Sequence, residues 1–185
     1  MKHIKMAALG LGLVVATSAS ADMGLITFVG TVSDSTCAVS GGSGTNGAPA
    51  NFSVALDPVQ TTTLNASGKT ANRKSYEVVF SDGKGGSCAS STITKAHFYF
   101  VASSPSVNID GRMKNILGPT GAQNVEMQML DESNAVVNLT RHPRKDVTLA
   151  TTGPTILKYG VQYYATGVAT AGNFRSDVIY EAYYD

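Results

Sequence analysis

The sequence predicts an all-β domain, an antiparallel sandwich, and three observations predict it. Short segments with a two-residue apolar period recur along the chain, separated by Gly, Pro, Asn and Asp. No segment gathers Met, Leu, Glu and Lys into a sustained helical stripe; the nearest, Lys114 to Leu130, is broken early by Gly118-Pro119. Gly, Thr, Ser, Ala and Val are abundant, charge is sparse and Trp is absent. Many short strands with turn punctuation favour two packed sheets joined by Greek-key connections.

The amino end reads as an export signal. Lys2 and Lys5 precede an apolar run from Met6 to Ala16, and Ala19-Ser20-Ala21 supplies a small-residue cleavage pattern. The run is too short to span a bilayer; a buried amphipathic first helix is the alternative. Cleavage before Asp22 leaves 164 residues, a usual single-domain size, with 12 basic and 13 acidic residues and a formal net charge of −1. No segment is strongly basic, so nothing argues electrostatically for nucleic acid or an anionic membrane surface. No internal repeat or linker divides the mature chain.

The strand candidates follow in order. Residues 24–32 alternate, with Ile26, Phe28, Gly30 and Val32 in one register. A Gly/Ser-rich loop at 40–47 precedes a short apolar stretch, Asn51 to Leu56. Ser75 to Ser81 places Tyr76, Val78 and Phe80 on one face. Ile93 to Val101 is rich in aromatics. Val125 to Leu130 alternates Val125, Met127 and Met129 with Glu126 and Gln128, and Ala135 to Leu139 is a further short candidate. Ile156 to Val168 alternates Tyr159, Val161, Tyr163 and Ala165. From Phe174 the chain separates again: Phe174, Ser176, Val178, Tyr180, Ala182 and Tyr184 on one side, mostly polar residues on the other. A strand that runs to the terminus needs something to tie it down.

Chemistry-bearing motifs are few. Cys37 and Cys88 are the two cysteines, and in an exported chain they read as one disulfide, with two free thiols as the alternative. The mature chain holds only His97 and His142, neither with a second ligand at metal spacing and neither in a catalytic motif. Asp131-Glu132 reads as a solvated hairpin tip. Gly83-Lys84-Gly85-Gly86-Ser87 lacks the P-loop spacing and reads as a surface loop. No catalytic residue, metal or cofactor is expected.

Taken together, these segments resemble a family. Gly24 to Val32 followed by Cys37 is similar to the N-terminal extension of chaperone–usher (type 1-like) pilus subunits, an alternating segment with a central Gly before the first cysteine. Tyr163-Tyr164-Ala165-Thr166-Gly167, then Ala169 to Gly172, then a strand with the penultimate aromatic Tyr184, resembles that family's C-terminal signature, with Gly172 fourteen residues from the end. Tyr76 to Phe80 leading to Cys88 is similar to its strand before the second cysteine, and Val125 to Asn138 to its hairpin. The resemblance spans the mature chain. One departure is the spacer 81–87, longer than the family's.

The resemblance implies an incomplete immunoglobulin-like sandwich, completed by a donor strand from another chain. It divides the sequence into a signal peptide (1–21), a donor extension (22–33) and a pilin domain (34–185). The donor would be Leu25 to Val32, with Ile26, Phe28 and Val32 filling pockets in a neighbour and Gly30 seated where no side chain fits. The acceptor groove would involve Gly172, Phe174, Val178, Tyr180 and Tyr184. Implied partners are neighbouring subunits, a periplasmic chaperone and an outer-membrane usher, and the implied destination is a surface fimbria supporting cell adhesion. Other readings stay open for single features: residues 24–32 as the first strand of a closed sandwich, Tyr180 and Tyr184 as plain core aromatics, Gly172 as a turn glycine. The alternative for the whole chain is a stand-alone secreted carbohydrate-binding sandwich using exposed aromatics among Tyr99, Tyr159 and Tyr164.

Overall fold

The computed structural model describes residues 37–141 and 144–185. The signal peptide, the donor extension with Ile26, Phe28, Gly30 and Val32, and His142 lie outside the described residues. Among the described residues there are eleven strands and one 3-10 turn at Gly118–Thr120. The strands are β1 (Ala38–Gly41), β2 (Asn46–Ala48), β3 (Asn51–Ser53), β4 (Thr70–Ser81), β5 (Lys95–Phe100), β6 (Met113–Lys114), β7 (Val125–Asp131), β8 (Val136–Val137), β9 (Lys145–Thr148), β10 (Thr155–Ala165) and β11 (Tyr180–Tyr184). One sheet runs β1-β4-β10-β7-β6, with β8 also paired to β7; the second runs β11-β5-β9; β2 and β3 form a hairpin. Every strand pairing is antiparallel.

On β4 and β10 the inward faces are those the two-residue period marks, whereas on the aromatic-rich β5 the fold selects the face. Tyr76, Val78 and Phe80 of β4 and Leu157, Tyr159, Val161 and Tyr163 of β10 are buried, as are Ala96, Phe98 and Phe100 of β5. Their rings interlock between the sheets. Phe98 meets Phe80 edge-on at 6.0 Å and Phe100 at 5.2 Å, and Phe100 meets Tyr159 at 5.2 Å. Burying each such side chain contributes about 1.5–3 kcal/mol. Tyr159 is therefore a core residue and not one of the exposed aromatics that a carbohydrate site would need. Arg112 lies over the Tyr164 ring at 4.2 Å, and the Tyr99 hydroxyl donates to Glu181.

Cys37 and Cys88 form a disulfide with their Cα atoms 5.1 Å apart. Closing a loop of 51 residues stabilises the fold by about 4 kcal/mol on the chain-entropy model. The long spacer before Cys88 is absorbed by a tight turn. Asp82 Oδ1 accepts from the amides of Lys84 and Gly86, both at 2.8 Å, and Gly83 and Gly85 adopt φ of 80° and 89°, a region that glycine enters without steric cost.

Several boundaries differ from the sequence reading. β4 begins five residues earlier than Ser75, and the glycine-rich segment 40–47 contributes to β1 and to the β2–β3 hairpin. β6 and β9 had no sequence signal, because two to four residues are too few to display a period. The C-terminal ladder begins at Tyr180, not Phe174. Residues 174–179 lie against a loop in place of a strand. They are held by separate bonds, from Ile116 N to Arg175 O at 2.8 Å, from the Ser106 hydroxyl to Asp177 O, and from Ile179 N to Ser104 Oγ at 2.9 Å.

Candidate functional site

The C-terminal segment is the half-covered part of the sandwich. Phe174, Ser176, Val178, Tyr180, Ala182 and Tyr184 alternate with exposed neighbours, yet each stops at intermediate burial where the corresponding faces of β4, β5 and β10 are closed. The segment after β3 has the same character: Phe52, Val54 and Leu56 are half-buried and alternate with exposed residues. All these apolar side chains pack on the core from its margin.

The two segments approach at one end. The Phe52 and Tyr180 rings are 5.8 Å apart, and the Tyr180 hydroxyl donates to Ala50 O at 2.8 Å. Toward the other end they border a cavity of about 760 Å³ that Leu56, Val59, Leu64, Tyr163, Gly172 and Phe174 help to line. Phe174 meets Tyr163 edge-on at 5.7 Å within it. Gly172 stands at the rim because a Cβ there would lie 2.6 Å from Ala122 N. Burial pushes the Tyr180 and Tyr184 phenols up, with Tyr180 adding to the effect at Tyr184, so both hydroxyls stay protonated at neutral pH.

The backbone of β11 is also half-used. Val101 N donates to Ile179 O at 2.8 Å and Asp185 N to Lys95 O at 3.2 Å. Bonded pairs alternate in an antiparallel ladder, and Tyr183 faces His97 in this register. Residues 181 and 183 thus turn their amides toward β5, while Tyr180, Ala182 and Tyr184 turn theirs outward. Among the described residues no strand pairs with that outward edge. Exposed apolar surface and unpaired backbone on one edge both favour addition of a strand. The buried Ser176 hydroxyl, on the same inward face, has no hydrogen-bond partner among the described residues.

The structure thus packs Phe174, Val178, Tyr180 and Tyr184 against the core from its margin, sets Gly172 and Phe174 on the lining of the cavity, and joins the start of β1 to the loop after β4 through the Cys37–Cys88 bridge. The segment 52–56 was legible as an apolar stretch, but the approach of Phe52 to Tyr180 depends on contacts distant in sequence. Position 97 lies in no motif of the sequence, whereas the fold sets Asp146 at 2.7 Å from Nδ1 and Asp185 at 3.0 Å from Nε2. Among the described residues no group of three or more His, Cys, Asp or Glu side chains could hold a metal, and no helix is long and apolar enough to cross a membrane.

No protein-family model matches the chain. It is 31% identical over 175 residues to the major fimbrial subunit SMF-1 of Stenotrophomonas maltophilia (strain K279a), across 91% of this chain and 96% of that protein. It is likewise 31% identical over 183 residues to the F17 fimbrial protein of Escherichia coli, across 94% and 96%. Its fold is similar to that of the P pilus rod subunit PapA, with a TM-score of 0.55 at 15% identity over 80% of this chain and 99% of that one. Similarity that runs nearly end to end, on a sandwich of this shape, means that the chain belongs to the family of fimbrial subunits.

Proposed function

We propose that this chain polymerises by strand exchange, with residues 22–33 of one subunit entering the groove between β11 and segment 52–56 of the next. The observation that carries the reading is the half-covered inward face of β11 with its outward amides free of a partner strand among the described residues. The chain's place among fimbrial subunits, which are structural and not enzymatic, supports it. Ile26, Phe28 and Val32 supply the apolar side chains that such a groove takes, at every second position. Gly30 meets it where the approach is closest. Before assembly the same exposed edge needs a temporary strand, which a periplasmic chaperone provides, and an outer-membrane usher exchanges one strand for the other at the cell surface.

A chain beginning at Ser33, melted with and without a peptide of residues 22–35, tests this. The expected result is a large rise in Tm with the peptide, lost when Gly30 in the peptide is replaced by a bulky residue. A chain stable alone and indifferent to the peptide would mean a closed sandwich.

A further inference from the structure

His97 is an unusual residue for the outer face of a sheet. It alternates with the core residues Ala96 and Phe98 on β5, yet it is only 5% exposed. Its neighbours come from both flanking strands. On β9, Asp146 is its cross-strand partner, with Oδ1 2.7 Å from Nδ1. On β11, Tyr183 is the partner, and its ring stacks on the imidazole at 4.5 Å. Asp185 places its carboxylate 3.0 Å from Nε2, close but not aligned for a hydrogen bond. The same residue is tied to β5 through its backbone, its carbonyl accepting from Thr94 N and Lys95 N at 2.7 and 2.8 Å.

We propose that His97 is a positioning residue for the acceptor strand: its imidazolium, held between Asp146 of β9 and Asp185 at the chain end, fastens β11 to the sheet in the register that keeps the groove open to a donor. That β11 is an acceptor rests on the function proposed above. The fastening itself rests on the three-strand geometry. Both ring nitrogens face carboxylates, which a neutral imidazole satisfies on one side only. A cation this deeply covered persists only when paired.

The groups facing the ring set the sign of its pH dependence. The Asp146 hydrogen bond and the Asp185 carboxylate raise the His97 pKa above 6.5, against burial and the Arg144 guanidinium, which lower it. Arg144 bonds Asp146 Oδ1 at 2.7 Å and stands over the Tyr183 ring, so it also keeps Asp146 ionised, down to about 2. Lys95 and Tyr99 flank His97 on the same face of β5, and Tyr99 is engaged by Glu181. A raised histidine pKa stabilises fully below 6.5 and ceases to as pH rises through the folded value; the depressed Asp146 pKa sets the acid limit, between 3.8 and about 2. The latch is therefore strongest between pH 3.8 and 6.5 and loosens on the alkaline side.

Amide hydrogen exchange of the full chain from pH 5.5 to 8.5, expressed as protection factors, tests this together with NMR titration of the His97 ring. Protection of residues 180–185 is expected to fall with rising pH, about tenfold for each unit by which the ring's midpoint exceeds 6.5, with β4 and β10 unaffected. In His97→Gln, protection is expected to be flat with pH at the wild-type alkaline level. A wild-type midpoint at or below 6.5, or protection of β11 indifferent to pH, overturns the latch whether or not the variant folds. A latch that titrates as expected in a chain whose truncated form ignores the 22–35 peptide overturns the assembly role instead.

Discussion

At Gly172 one hydrogen atom makes room for a turn. Its φ is +156°, and a Cβ would meet Ala122 N at 2.6 Å and the Gly121 carbonyl carbon at 2.8 Å. Those are backbone atoms and cannot rotate away. Gly172→Ala should therefore displace the 170–173 turn, costing about 1–3 kcal/mol in urea unfolding, and should shift Phe174 off Tyr163. Unchanged stability would mean that the turn relaxes freely. The sequence marked this glycine by its distance from the chain end, but the reason for it, a backbone passing alongside, belongs to residues fifty positions earlier. His97 illustrates the same limit more sharply. Asp146 and Asp185 are remote in sequence, and no local pattern ties either to position 97; strand order alone sets them on its two sides.

Among elements, β11 was the most legible, since eleven residues of two-residue period announce which side chains turn inward. Its ladder is shorter than its period, because the pattern reports burial whereas pairing requires a neighbour, and residues 174–179 face a loop. β4, β7 and β10 were legible for the same reason, β5 by its aromatic content, and the brief β6 and β9 were not. The distinction between periodic burial and pairing yields a prediction. Val178 lies on the inward face but is only half-buried, so Val178→Asp should leave the melting of the chain beginning at Ser33 nearly unchanged, its carboxylate remaining in contact with water. A docked strand would bury that charge without a partner, at a cost of several kcal/mol. The 22–35 peptide should then no longer raise Tm. A retained rise would place the donor elsewhere on the fold.

For the whole molecule, the proposed assembly draws on a second sheet whose β11 edge has no partner strand among the described residues. A full-length chain lacking residues 22–32 should still fold around the Cys37–Cys88 bridge and be exported, yet form none of the heat-resistant multimers that the intact chain is expected to show on gels. Multimers from the truncated chain would mean that another surface drives polymerisation. By itself the sequence determined the all-β class, the core faces, the cysteine pair and the resemblance carried by its two ends. Each of these is written in local periodicity, or in spacing along the chain. The tertiary structure alone decided that Phe52 meets Tyr180, that the long spacer curls so that Cys88 reaches Cys37, and that His97 lies between two carboxylates. These depend on which strands become neighbours, and that is settled by packing between residues far apart in the chain.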